Sequence, residues 1–314
     1  RVCEAELREQ FGSPQLVDGR PCRMVILALG KSAGRELGFA SDIELMFLYE
    51  DTGFTNGPRS ISNEEYFDRL VDLFVKSIHS RRKGVFEIDL RLRPHGKAGS
   101  RSVSVETFRR YFSLTGPAWP FERQALVKMR PVAGDRELGE EIVAIRDELI
   151  YTRSAFDVAA MRAIRDKQIR QLVIPGSFNA KLSPGGLVDI EYLVQGLQMI
   201  HGHDRPDVRT PNTREAMKAL EVAGVLSAEQ RLGLRDAYRF MRRLIDVLRM
   251  VRGDATDLTV PQRDSEEFRF LARRMRMFKD TLDLAADLES YSSLVLELSK
   301  TLLPTSGALP GMSV

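Results

Sequence analysis

The sequence predicts an α+β protein, in which a small domain with a mixed sheet precedes an all-helical bundle. Three observations carry that expectation. Strand-like apolar runs are confined to the first third, helical spacing fills the remainder, and turn-forming residues separate the segments. At 314 residues the chain also exceeds one average compact core, so two or more domains are expected.

Residues 23–29 (RMVILAL) form a short apolar run ending at Gly30, suited to a buried strand. Residues 42–49 (DIELMFLY) predict a second strand, and residues 84–93 (GVFEIDLRLR) a third with clean alternation. Between the latter two, Tyr66, Phe67, Leu70, Leu73, Phe74 and Ile78 recur at helical spacing and predict a helix over 63–82. From about Ser104 the pattern is helical, with segments near 105–115, 136–150, 155–172, 187–202, 212–224, 228–252 and 265–302. Their separators carry breakers: Pro175-Gly176, Ser183-Pro184-Gly185-Gly186, Arg205-Pro206 and Pro261. The expected organisation is a catalytic domain over 1–150, a helical bundle over 151–303 and a frayed tail over 304–314.

Composition narrows the function classes. With 43% hydrophobic and 29% charged residues the chain reads as an ordinary globular protein. A net charge of +3 is too small to argue for nucleic acid, and no aromatic stacking motif supports it. Cys3 and Cys22 are the only cysteines, too few for a disulfide framework or a four-cysteine zinc site, which suggests a reducing cytoplasm. No run approaches the ~18 apolar residues of a membrane span, and no signal peptide is read before the first domain. The chain begins at Arg1 rather than methionine, as a piece of a longer polypeptide would.

The chemistry lies in the carboxylates. Residues two apart on a strand share a face, which puts Asp42 beside Glu44 while Ile43, Leu45 and Phe47 point into a core. The same rule puts Glu87, Asp89, Arg91 and Arg93 on one face of the third strand. If the two polar faces meet, carboxylates converge beside two guanidiniums. Such a cluster needs cations, and its oxygen ligands suit Mg²⁺ or Mn²⁺. The arginines suit phosphates. Gly30, without a Cβ, lets a triphosphate approach the backbone. Together these fit metal-dependent phosphoryl or nucleotidyl transfer. Each piece alone has a plainer reading, as solvated edge chemistry or a cross-strand salt-bridge ladder; their combination favours a site. Gly30-Lys31-Ser32 imitates the end of a P-loop, but Val25 stands where that motif needs its first glycine.

These residues also carry a resemblance. GKSAGRELGFASDIELMFLY (30–49) resembles the signature of the glutamine synthetase adenylyltransferase/deadenylylase family, in the polymerase-β-like nucleotidyltransferase superfamily. EIDLRLRPHGKAGS (87–100) is similar to the segment that holds the family's third catalytic carboxylate, here Asp89. FERQALVKMRPVAGD (121–135), KLSPGGLVDIEYLVQ (181–195) and RTPNT (209–213) follow in family order. The resemblance implies a polymerase-β-like catalytic domain with a helical bundle. It also implies transfer of AMP from ATP to a tyrosine of glutamine synthetase, or removal by phosphorolysis with phosphate in and ADP out. Complete enzymes of the family carry two such units and answer to a PII signalling protein and glutamine, whereas this chain has room for one. It departs from the family at Glu44, where the family has aspartate, and in the stretched spacing around Trp119.

The candidate set is thus Asp42, Glu44 and Asp89 for catalysis and metal. Gly30, Lys31, Arg91, Arg93, Lys181, Gly185 and Gly186 are the candidates for nucleotide. Glu122, Lys128, Asp189 and Glu191 are candidate lining residues. Gly185-Gly186 before a helix can hold an anion, or can simply make a turn whose first-turn acids meet the helix dipole. His201 and His203 read as loop residues rather than ligands. The alternative function is a catalytically impaired nucleotide-sensing unit of the same fold. The direction of transfer stays open.

Overall fold

In the computed structural model the described residues are 2–78, 86–152, 156–253, 256–276 and 283–304. The expected tail beyond 304, and the expected strand and helix residues at 79–85, lie outside them, as do 155 and 277–282 of two expected helices. The chain divides into two compact units. One comprises the residues up to Leu37 and Ser41–Ile150; the other comprises Gly38–Ala40 and the chain from Tyr151 onward.

The first unit runs α1 (Val2–Phe11), β1 (Pro14–Leu16), β2 (Met24–Leu29), α2 (Gly30–Ala33), β3 (Ile43–Tyr49), β4 (Gly53–Thr55), α3 (Asn63–Ser77), β5 (Ile88–Asp89), β6 (Ser102–Ser104), α4 (Val105–Phe112), α5 (Pro120–Ala125), β7 (Met129–Gly134) and α6 (Arg136–Ile150). Its main sheet has the order β5-β3-β2-β7, with β6 also on β3. The sheet is mixed, as expected: β2 pairs antiparallel with β3 and β7, while β5 and β6 run parallel to β3. Leu45, Met46, Phe47, Leu48 and Tyr49 are all buried, so β3 is covered on both faces beyond its start. Only Asp42, Ile43 and Glu44 stay at the rim. α3 supplies Val71, Phe74 and Val75 to the cluster holding Ala28, Leu45 and Phe47.

The third strand is shorter than its alternation predicts. β5 pairs with β3 only at Ile43↔Ile88 and Glu44↔Asp89, and from Phe47 the same edge of β3 is taken by β6. Arg93 ends the strand by turning inward. It is 9% exposed, and its guanidinium donates to the carbonyls of Leu90, Gly99 and Ser100, so the chain from 90 to 100 wraps around it. Pro94 follows, with no N–H to extend a ladder.

The second unit runs α7 (Val158–Leu172), β8 (Phe178–Asn179), α8 (Leu187–His201), α9 (Thr213–Val222), α10 (Ala228–Arg252), β9 (Thr259–Val260), α11 (Glu266–Arg276) and α12 (Leu284–Leu302). α8, α9, α10 and α12 enclose one core that includes Leu193, Leu220, Met241, Leu244 and Val295. Helical spacing predicts both Met241 and Met250 in that core; Met241 is fully buried there, whereas Met250, near the end of α10, is exposed. Ser227 and Gln230 form a capping box at the start of α10, and Gly253 at φ 65° ends it. Among the described residues no helix is long and apolar enough to cross a membrane.

Candidate active site

β2 ends where Gly30 begins the single turn of α2. Gly30 sits at φ 52°, and a Cβ built on it would fall 1.6 Å from Glu44 Oε2. The Glu44 carboxylate therefore occupies the space that glycine leaves. On the other side of Glu44, Asp89 is its register partner across the parallel β3–β5 pair. Neighbouring strands lie ~4.8 Å apart, so these two side chains are close companions at one sheet end. Asp42, just before β3, accepts a hydrogen bond from the Glu87 N–H at 3.3 Å.

Arg91 holds the three together electrostatically. Its guanidinium clasps Asp89, with Nη2 2.5 Å from Oδ2 and Nε 2.9 Å from both oxygens, and the Arg91 N–H donates to Oδ1 at 2.8 Å. Arg91 is held above its usual range, first by Asp89 and also by the charges of Asp42 and Glu44. Burial alone would raise the Asp89 carboxyl, but its bonds from Arg91 outweigh that and keep it below the usual range. The Asp89 side chain is 14% exposed against 65% for Arg91, so a largely buried carboxylate meets an exposed cation.

The three carboxylates offer oxygen donors of the kind a hard divalent ion takes. As they stand, no three such side chains among the described residues are gathered closely enough to hold a metal. Asp89 is turned into Arg91 instead.

The other candidates divide. Lys31 lies half-buried on the turn after Gly30. Arg93 does not join Arg91 at the site, because its donors are spent on loop carbonyls. Lys128 lines no open surface: it is buried in an ion pair with Glu36 at 2.6 Å. Glu122 fixes the entry to α5, accepting from the Trp119 N–H at 2.8 Å and the Tyr111 hydroxyl at 3.1 Å. Trp119 itself is exposed.

In the second unit, Gly185 is needed by packing, since at φ 74° a Cβ would lie 2.4 Å from the Ser292 carbonyl oxygen. Gly186 caps α8, with half-buried Lys181 five residues upstream. The Gly185 N–H donates to Asp189 at 2.6 Å, and Asp189 pairs with buried Arg165 at 2.5 Å. The turn is thus filled by its own first-turn acid, the plainer of the two readings of this glycine pair. Glu191 lies half-buried on α8. His203 Nδ1 stands 3.3 Å from the Tyr151 carbonyl oxygen, and burial depresses His201. Arg165 escaped the sequence reading, its partner Asp189 lying 24 residues away, and so did the pairing of Lys128 with Glu36, 92 residues apart.

The family model described as glutamate-ammonia ligase adenylyltransferase matches residues 2–145, which include Gly30, Asp42, Glu44, Asp89 and Arg91. The chain belongs to that family. Its helical half, residues 159–303, matches the family model described as GlnD PII-uridylyltransferase. Among curated proteins, the chain is 35% identical over 268 residues to the bifunctional glutamine synthetase adenylyltransferase/adenylyl-removing enzyme of Xanthomonas axonopodis pv. citri, covering 83% of this chain and 28% of that protein. The protein of the same description from Stenotrophomonas maltophilia (strain R551-3) is 37% identical over 259 residues, covering 81% of this chain and 28% of its own length. That from Thioalkalivibrio sulfidiphilus is 32% identical over 270 residues, 84% of this chain and 27% of its own length. The chain therefore spans less than a third of these relatives.

Proposed function

We propose that this chain carries one metal-dependent nucleotidyltransferase unit, acting in the cytoplasm on a tyrosine of glutamine synthetase. It adds AMP from ATP, or removes it by phosphorolysis, under the influence of a PII signalling protein. The observation that carries the reading is the Glu44 carboxylate lying against Gly30 with Asp89 beside it in register. The names of the curated relatives support glutamine synthetase as the protein substrate.

The residues divide the work as follows. Gly30 gives the Glu44 carboxylate the space that a Cβ would fill, at the head of the turn where a phosphate would dock, and Lys31 adds charge beside it. Asp42, Glu44 and Asp89 would hold Mg²⁺ or Mn²⁺, which when bound supplies positive charge at the reacting phosphate. Arg91, being exposed and only edge-held, can exchange Asp89 for a phosphate oxygen. Asp89 is ionised at neutral pH and so can accept the tyrosine hydroxyl proton. In adenylylation the tyrosine oxygen bonds to the α-phosphorus and pyrophosphate leaves. In the reverse direction inorganic phosphate attacks the same phosphorus, the bond to tyrosine breaks, and ADP leaves as the tyrosine regains its proton. Lys181, Gly185, Gly186, Asp189 and Glu191 have no step in this scheme.

Incubation with glutamine synthetase, labelled ATP and Mg²⁺ or Mn²⁺, with adenylylated substrate and phosphate in parallel, tests the proposal. Label on the substrate, or its release as ADP, is expected. ATP binding without either would instead support a nucleotide-sensing unit. One observation favours that second reading: the longer Glu44 fills the space over Gly30 while Asp89 is occupied by Arg91. Glu44→Asp discriminates, since it would create activity from none in a sensing unit but only reshape the metal dependence of a working enzyme.

A further inference from the structure

The turn after Gly30 is held from one side by a strand distant in sequence. α2 is one turn long, and its closing bonds are Gly34 N–H to the Gly30 carbonyl at 3.1 Å, Arg35 N–H to the Ser32 carbonyl at 3.3 Å and Glu36 N–H to the Lys31 carbonyl at 2.8 Å. Arg35, between them, has a left-handed backbone at φ 55°. So short and strained a segment does not hold itself.

β7 supplies what it lacks. Register pairs Leu29 with Met129 and Ala28 with Arg130, so the start of β7 runs beside the chain as it enters the turn. Arg130 Nε donates to the Ala33 carbonyl at 2.9 Å, one that the helix end leaves open, and Nη2 to that of Ser32 at 3.2 Å, which also accepts from the Arg35 N–H at 3.3 Å. Two residues earlier, Lys128 reaches Glu36 at 2.6 Å, with the two side chains 7% and 5% exposed. A buried ion pair seldom outdoes an apolar pair in stability, because desolvation offsets the attraction. Its gain is direction: one placement of the turn satisfies Lys128, whereas an apolar contact tolerates several.

We propose that Lys128 and Arg130 are positioning residues that fix the turn from Gly30 to Glu36, and thereby set Gly30 and Lys31 for a nucleotide phosphate. The nucleotide half rests on the function proposed above; the hold on the turn does not.

The test uses the full chain as Arg130→Met, Arg130→Lys and Lys128→Met, with Phe108→Leu as a core variant matched for loss of stability. Two quantities are read: amide hydrogen exchange across 31–36, and ATP affinity with Mg²⁺ by calorimetry. Both methionine variants should speed exchange in that segment and weaken ATP binding about tenfold or more, the size expected for lost hydrogen bonds from a charged donor. Arg130→Lys should recover part of each loss, and Phe108→Leu should cause neither. Unchanged exchange across 31–36, or an equal effect of Phe108→Leu, overturns the proposal. Should Lys128→Met not fold, Arg130→Lys against Arg130→Met decides. A wild-type chain that binds no ATP would sink the functional reading and the nucleotide half, while the exchange measurement still decides the hold on the turn.

Discussion

Gly30 and Glu44 share one volume, and that fact ranks the effects of substituting either. Gly30→Ala meets two obstacles: the Glu44 carboxylate, 1.6 Å from the new Cβ, and a backbone at φ 52°. It is expected to cost about 1–3 kcal/mol in chemical denaturation and to abolish ATP binding. Adding Glu44→Asp should relieve the collision but leave the backbone strain, so stability should return only in part. His201 offers a prediction about pH. Burial, with Arg205 adding to it, depresses the ring below the ordinary 6.5. As pH falls through 6.5, the unfolded chain takes up a proton that the folded chain refuses, so stability is full above that value and declines below it. The melting temperature of the second unit should therefore drop between about pH 7 and about pH 5, and His201→Gln should flatten that slope. Among single residues, Glu44 was legible as a departure because it breaks a pattern. The ion pair of Lys128 with Glu36 was not, since nothing local marks two residues 92 positions apart as partners.

Elements differ in how much of themselves they write into the chain. α10 over Ala228–Arg252 agrees with its periodicity, because its cap, its spacing and its terminal Gly253 are all local signals. Ser227→Ala should cost about 1 kcal/mol, the usual loss of a serine cap, seen as a lower denaturation midpoint with unchanged slope. β5 is the opposite case. The alternation over 84–93 is present in the sequence, but a strand also needs a partner edge, and β6 takes that edge from Phe47 onward. Arg93 then serves the loop rather than the ligand. Arg93→Met would leave the carbonyls of Leu90, Gly99 and Ser100 without that donor and should lower stability by about 1–3 kcal/mol. A phosphate-binding arginine would instead show its loss in ATP affinity at unchanged melting temperature. Residues 129–134 were not among the expected strands, since Pro131 and Gly134 interrupt any period; pairing with β2 makes them β7.

For the whole molecule, two units each enclose their own apolar cluster, and each responds to loss of volume within it. Leu244, fully buried in the helical unit, is a position at which truncation should be damaging. Leu244→Ala is expected to cost about 2–5 kcal/mol, read as lost amide protection along α8 and α10. The fold class, the mixed sheet and the family were all open to sequence reasoning. Periodicity is a local property, and motifs in fixed order survive without coordinates. The same is true of the carboxylates as a set, since a two-residue period assigns them to faces. Tertiary structure alone decided which charges are spent on the protein's own buried groups and which stay exposed. Arg91 and Arg93 have the same chemistry two residues apart, yet one clasps Asp89 at the surface and the other is buried among carbonyls. That choice depends on which groups the folded chain leaves without partners, and this is settled only when distant segments meet.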